Sequence, residues 1–359
     1  MAVQGFVRAR KHQFGRQTSI NTPVAAQRAY AFKGVPDPDL NWVDPDVDAG
    51  SIDIVVSPHR EAPNLTASLT DNSLRYNSLP LMLSATLGGD VDGVLTGGGT
   101  DVIWTYDAES DGSDTQDTFT YEFGDDVLTD WFQFGDGIIE TLEITGPEGL
   151  GPLTASMSWR FGSIFSSGST DSPDSPAVPT ALDVSTGDIV VYLKDGEIAI
   201  ASDPDDFGTS QVSNALHNFT LRISKEVDLK RWANGDQSFD IDDFGVGSRM
   251  IELECTFSKT ADIVGIGSES DAWMSDDAVN RFVQMTFTST ALASTTPDVP
   301  YSWTFSMPMR YYTRAEGESG GNTTVTLTGK AFRDPSSSST AFDGVFKSVV
   351  TGTLAAADL

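Results

Sequence analysis

Alternation of apolar and polar residues with a period of two recurs along this chain in short runs closed by Gly, Asp or Pro, and it leaves few folds open. Asn64-Leu65-Thr66-Ala67-Ser68-Leu69 alternates, as do 102–106 (VIWTY), 118–123 (TFTYEF), 138–144 (IIETLEI) and 153–161 (LTASMSWRF). Successive side chains of a strand point to opposite faces, so runs of this kind are half-buried strands. The pattern returns in 189–193, 219–223, 250–257, 323–328 and 346–354. Asp195-Gly196 predicts a hairpin leading into Glu197-Ile198-Ala199-Ile200. One good helix is expected in the first half, over 79–87 (LPLMLSATL), with Pro80 in its first turn, apolar residues down one side and Gly88-Gly89 as its stop.

At 359 residues the chain is long enough for two domains, or for one large β domain with an appendage. Its single cysteine, Cys255, excludes an internal disulfide and a multi-cysteine zinc site. Acidic residues number 52 against 22 basic ones, a formal charge of −30, which disfavours tight wrapping of DNA. No apolar run reaches the roughly 18 residues of a membrane span, and Arg8, Arg10, Lys11 and His12 stand where a secretion signal needs its apolar core. A soluble protein made in the cytosol, with no membrane partner, is the expectation.

Charge divides the chain. Residues 1–36 hold six Lys/Arg and no acid, and Val35-Pro36-Asp37-Pro38-Asp39 follows as a break. A basic N-terminal arm over 1–36 is therefore expected, extended and separable, either a disordered tail or an arm that docks on the acidic face of another copy. The Ser/Pro/Asp-rich stretch within 163–186 reads as a linker. These marks give a first β domain over 37–165, a linker over 166–186 and a second β domain over 187–359. The halves look like variants of one unit: strand 64–69, helix 79–87 and Ile103-Trp104-Thr105-Tyr106 in the first, strand 251–257, a helix over 271–282 (DAWMSDDAVNRF) and Ser302-Trp303-Thr304-Phe305 in the second.

Catalytic constellations are missing from the sequence. His12, His59 and His217 show no ligand spacing, no nucleophile elbow or phosphate loop is present, and Glu252 with Glu254 is a chance pair among so many acids. The chain reads as no enzyme and as needing no cofactor. Asp107–Asp114 and Asp236–Asp243 approach calcium loops in the placing of their acidic oxygens, although Thr118 stands where an EF-hand has its bidentate Glu.

Three stretches carry a resemblance. They are 42–89 (WVDPDVDAGSIDIVVSPHREAPNLTASLTDNSLRYNSLPLMLSATLGG), 119–163 (FTYEFGDDVLTDWFQFGDGIIETLEITGPEGLGPLTASMSWRFGS), and 267–282 with 300–331 (GSESDAWMSDDAVNRF and PYSWTFSMPMRYYTRAEGESGGNTTVTLTGKA). With them the chain resembles the major tail tube proteins of bacteriophages with long, non-contractile tails, especially those infecting actinobacteria. The resemblance implies a mainly β protein of two tandem β-barrel or sandwich domains, each flanked by one α-helix, with an extended N-terminal arm. It implies a virion protein assembled in the host cytoplasm, whose stacked rings form the conduit through which the genome leaves. Trimeric pseudo-hexameric rings are expected, hexameric rings being the alternative. The implied partners are further copies, the tape-measure protein, and the tail-tip and terminator proteins, with DNA passing an acidic lumen unbound. Arg8, Arg10, Lys11 and Arg16 are the expected contacts between rings. A carbohydrate-binding or adhesive β protein, using Trp104, Trp131, Trp159 and Trp303 with the acidic loops, is the competing reading.

Overall fold

The structure, a computed structural model, describes residues 10–39, 42–43, 59–60, 64–88, 93–95, 101–108, 116–125, 130–168, 184, 189–195, 211–212, 215–231, 241–259, 281–331 and 346–354. They are overwhelmingly antiparallel strand. In chain order the strands are β1 (Arg10–Gln17), β2 (Arg28–Tyr30), β3 (Lys33–Asp39), β4 (Trp42–Val43), β5 (His59–Arg60), β6 (Asn64–Asp71), β7 (Val94–Leu95), β8 (Val102–Ala108), β9 (Thr118–Asp125) and β10 (Asp130–Gly146). There follow β11 (Thr154–Phe161), β12 (Ser163–Gly168), β13 (Ile189–Asp195), β14 (Gln211–Val212), β15 (Leu216–Lys230), β16 (Asp243–Ser258), β17 (Arg281–Thr295), β18 (Asp298–Ser319), β19 (Asn322–Ala331) and β20 (Phe346–Gly352). The helix α1 occupies Leu79–Leu87, the range its sequence predicts.

A smaller sheet runs β2-β1-β9-β10-β12. A larger one runs β3-β6-β11-β10-β15-β16-β19-β18-β17-β13-β14, and β20, β8 and β7 branch from the first half of β18. Traced strand by strand, these pairings never return to their start, so the described strands form open sheets and no closed barrel. The sheets share β10, whose first half pairs with β9 and β12 and whose second half pairs with β11 and β15.

The exchange between sheets happens at an irregularity between Phe134 and Gly137, where Asp136 takes φ 56°. A non-glycine residue is rarely left-handed, and asparagine and aspartate tolerate it best because their short side chains bond locally. Here the carboxylate is fully buried. Its Oδ1 accepts from the backbone N–H of Asn21 (2.9 Å) and from Gln17 Nε2 (3.3 Å), and its Oδ2 accepts from Ser163 Oγ (2.7 Å). Gln17 Oε1 accepts in turn from the Asp136 N–H at 2.7 Å, and Asn21 Nδ2 donates to the carbonyl of Ile241. The bend is thus held by residues from four separate stretches of chain.

Across that bend the two sheets meet through stacked rings. Phe14 of β1 lies 4.7 Å from Tyr121 and 4.9 Å from Trp159, and Tyr121 lies 5.4 Å from Phe161. The expected separable arm is accordingly not found in residues 10–36. β1 is an interior strand flanked by β2 and β9, and His12, Gln13 and Phe14 are buried. Its sequence, RKHQFGRQ, has one large apolar residue and no apolar alternation, so only its partner strands reveal that His12, Gln13 and Phe14 are buried. Val35–Asp39 is likewise strand, not a break: among the described residues β3 pairs only with β6, and Pro36 and Pro38, two apart, place their missing N–H groups on the side away from that ladder.

α1 is buried at all nine positions, not on one side, because β8, β10 and β15 pack around it. Gly88, at φ 73°, closes it with its N–H on the Ser84 carbonyl at 3.0 Å. The expected second helix falls at 271–280 outside the described residues, while Arg281 and Phe282 begin β17. Glu197–Ile200 of the expected hairpin also lies outside them, and β13 pairs with β14 and β17. The expected linker begins inside β12, and within it Val184 is buried, giving its N–H to Leu74 and accepting from Leu153.

β20 joins the two halves. Val350 faces Trp104 on one side and Trp303 on the other, and Ser348 faces Tyr106 and Phe305, so the two Trp-Thr-aromatic runs stand level across one strand. One contiguous core runs through both halves, from Phe14 to Leu354.

Two substitutions test this account. Phe14→Ala, which empties the space between Tyr121 and Trp159, is expected to cost about 3–5 kcal/mol in urea denaturation, where loss from a separable arm would cost nothing. Asp136→Ala removes the acceptor of three hydrogen bonds and leaves a β-carbon at positive φ, and a loss of about 3 kcal/mol is expected in the same assay.

Candidate functional site

Away from the core, the larger sheet turns every second residue of its central strands to solvent. Thr70, Ser156, Glu143, Arg222, Glu252 and Lys330 face one another in sequence across β6, β11, β10, β15, β16 and β19. Within this row Arg222 reaches Glu143 at 3.3 Å and Lys330 reaches Glu252 at 3.4 Å. The adjacent row reads Thr154, Thr145, Thr220, Glu254 and Thr328, with Thr328 Oγ1 donating to Glu254 at 3.3 Å. Alternation in the sequence dictates this hydroxyl-rich face, and its charges are matched in sign: the exposed pairs add well under about 1 kcal/mol each, yet they keep the surface hydrated. Of the 52 acidic side chains, 23 lie in the described residues, against 20 of the 22 basic ones. The described framework is therefore close to neutral, and the excess acid belongs to the remaining sequence.

The four predicted contact cations fare differently. Arg8 lies outside the described residues. Arg10 is exposed at the start of β1, its guanidinium 5.9 Å from the ring centroid of Phe123, and Lys11 is half-buried beside it. Arg16 is engaged within the chain, donating through Nε (3.1 Å) and Nη2 (2.8 Å) to Asp117 Oδ1. The structure thus brings Arg10, Lys11 and Arg16 onto one strand and leaves Arg10 the most available of the three.

A second group of cations, which the sequence did not single out, gathers where α1 ends. Helix termini leave carbonyls without partners and carry partial negative charge. Lys225 Nζ donates to the Ala85 carbonyl at 3.2 Å and to Gln116 Oε1, and Arg249 Nη1 donates to the Leu87 carbonyl at 3.2 Å. Burial, with Arg249 alongside, pushes the Lys225 ammonium well below its ordinary range, while Asp117 and Glu140 pull it back. Lys225 and Arg249 are cross-strand partners of β15 and β16, so a hairpin of the second half caps the helix of the first. Next to this cluster opens a cleft of about 580 Å³ lined by Arg16, Thr18, Ile20, Gln27, Gln116 and Phe244, among others.

At the opposite end of β15, His217 Nε2 lies 2.7 Å from Ser258 Oγ and His217 Nδ1 lies 3.0 Å from Glu148 Oε1, which also accepts from Ser319 Oγ at 3.2 Å. Serine, histidine and carboxylate in this order are the parts of an activated nucleophile. The oxyanion donors that would complete one are spent: the N–H of Ser258 is given to Ala215 and that of Lys259 to Thr323. Glu148 is more than half exposed. With Ser319 the trio works as a clasp that ties the turn after β10 to the start of β15, the end of β16 and the end of β18.

Among the described residues no group of three or more His, Cys, Asp or Glu could hold a metal ion. Residues 109–115 and 232–240, most of the two acidic loops read as calcium sites, lie outside them. Trp104, Trp159 and Trp303 are fully buried and Trp131 nearly so, which removes the ring faces that a glycan would stack on. No described helix is long and apolar enough to cross a membrane. No protein-family model matches the chain, and no curated protein matches it either.

His12 provides a pH signature. Its Nδ1 lies 2.8 Å from Tyr121 Oη, and burial, helped by the neighbouring charge of Arg10, lowers its pKa to about 4 from 6.5. The unfolded chain then binds the proton first, so stability is full above pH 6.5 and falls as pH drops toward 4, by up to about 3 kcal/mol. Urea midpoints measured across that window are expected to fall less steeply for His12→Gln than for the wild type.

Proposed function

We propose that this chain is a structural virion protein, the subunit of a phage tail tube, which acts by polymerising into stacked rings around a conduit for DNA. The observation that carries the reading is the continuous antiparallel sheet whose one face is an aromatic and aliphatic core and whose other face is a hydrated lattice of Thr, Ser and sign-matched charge. A wall past which DNA must slide needs water at its surface and no array of unpaired cations to release phosphate counterions. The described face meets both needs, and the acid excess lies in the rest of the sequence, available to add the repulsive potential.

The strand network also favours assembly. β3, β7 and β14 each have a single strand partner among the described residues, and Val94 and Leu95 of β7 are about two-thirds exposed. Such edges template pairing with another chain unless they are covered, and the prolines blunt β3 and leave β7 open. The level placement of the two Trp-Thr-aromatic runs across β20 supports a duplicated unit. Three chains of two units each then form a pseudo-hexameric ring, with six-chain rings as the alternative stoichiometry. In the tail such rings adjoin the tape-measure, tail-tip and terminator proteins, and assembly takes place in the host cytoplasm.

Electron microscopy of the purified chain in negative stain tests the reading. Hollow tubes or stacked rings are the expected result, and particles that stay monomeric up to millimolar concentration refute it. Arg16 is held by Asp117, so the contact between rings falls to the start of β1, where Arg10 is exposed. Arg10→Ala combined with Lys11→Ala is expected to leave the circular dichroism spectrum unchanged and to shorten the tubes at least several-fold.

A further inference from the structure

A lysine inside a protein is uncommon, and its charge is costly there unless a counterion meets it. Lys225 is 6% exposed, and its cross-strand partner on β16 is another cation, Arg249. Its Nζ is turned to two neutral oxygens, the Ala85 carbonyl at 3.2 Å and the side-chain amide oxygen of Gln116. Burial and Arg249 both favour the uncharged amine, which is a nucleophile where the ammonium is not.

The Gln116 amide is held from both ends. Its Nε2 donates to the carbonyls of Asp117 (2.7 Å), Ala85 (3.4 Å) and Ser84 (3.5 Å), while its Oε1 accepts from Lys225. A donor bonded to Oε1 stands next to Cδ, the carbon that carries that oxygen. Two groups locked in contact and shielded from water react as if each were present at very high concentration, which brings an otherwise inert amide within reach of an amine.

A carboxyl group that can carry a proton stands beside them. β10 and β15 pair Thr141 with Ser224, and one residue further along each strand come Glu140 and Lys225, each of which acts electrostatically on the other. Glu140 lies at the irregularity between Ile139 and Thr141, and burial raises its pKa even though Arg160 Nε lies 2.7 Å from its Oε1. Such a carboxyl is suited to take a proton from an amine and return it to a departing nitrogen. The three side chains come from β15, the segment before β9, and β10, so no local motif announces them.

We propose that Lys225 and Gln116 are joined by an isopeptide bond that the folded chain forms by itself, with Glu140 moving the proton. Nζ of the neutral amine adds to Cδ and the Cδ–Nε2 bond breaks. Nε2 leaves as ammonia, its third hydrogen being the proton that Glu140 takes from Nζ and hands on. Nothing is oxidised or reduced and no co-reactant enters. The cleft of about 580 Å³ that Gln116 lines gives the ammonia a way out. A neutral amide then replaces the buried cation beside Arg249, and its one N–H still serves the Ala85 carbonyl. The bond lies within one chain and does not depend on polymerisation.

Mass spectrometry of the intact, denatured full chain tests it. The wild type is expected to weigh one ammonia less than its sequence, and trypsin is expected to release a branched peptide in which the Gln116 and Lys225 side chains are joined. Lys225→Arg, which keeps a cation at the end of α1, is expected to show an unchanged circular dichroism spectrum and the full mass. Glu140→Gln is expected to be isolated with at least tenfold less of the bonded form, read from the two masses. A folded wild-type chain of full sequence mass overturns the proposal whether or not Lys225→Arg folds, because a lysine that merely caps the helix loses no ammonia. Ammonia loss that maps to another residue overturns it as well. A folded Glu140→Gln chain bonded as fully as the wild type overturns the proton transfer assigned to Glu140.

Discussion

The buried carboxylate of Asp136 is the constraint on which the rest of the structure depends. A strand that serves two sheets must turn out of one and into the other, and β10 does so at a residue held in a left-handed conformation by hydrogen bonds to Gln17, Asn21 and Ser163. Everything on the smaller sheet is oriented by that turn. β1 lies where Phe14 can meet Trp159 only because β10 carries β9 across the bend, and β12 returns beside β10 for the same reason. A buried carboxylate is costly unless its lone pairs are filled, and here side chains and backbone from distant stretches fill them, so the bend forms only when those stretches arrive together.

The two halves of the chain are coupled by the same economy of polar groups. α1 is sealed inside the protein, and its terminal carbonyls have no water to turn to. Lys225 and Arg249 from the second half provide the donors, and Gln116 bridges Lys225 to the segment before β9. β20 adds a backbone ladder between the halves, set level by Val350 between Trp104 and Trp303. A likeness between halves that reads in sequence as tandem repetition is thus realised as strands of one extended sheet.

The distribution of charge separates two roles that the overall figure of −30 merges. The sheet framework is nearly neutral, with acids and bases paired along the rows of the solvated face, and the surplus of aspartate belongs to segments outside it. Within the described sheets, packing tolerates only charges that find partners.

Sequence by itself determined the strands and α1 wherever the local pattern was decisive. The alternation in β6, β8, β9, β11, β16 and β19 and the proline and glycine bracketing Leu79–Leu87 are local facts, set by side-chain direction and backbone freedom. What only the tertiary structure decided were matters of partner. The basic residues of β1 mask a core strand, the prolines of β3 sit on the side where no ladder forms, and helix α1 buries its whole surface because three strands close around it. Arg16 looked free and is held by Asp117, while Lys225, Arg249 and the His217 clasp went unremarked because their partners lie tens to hundreds of residues away. A strand announces its own faces, but which face meets which, and which charge meets which, is fixed by contacts between residues that sequence order keeps apart.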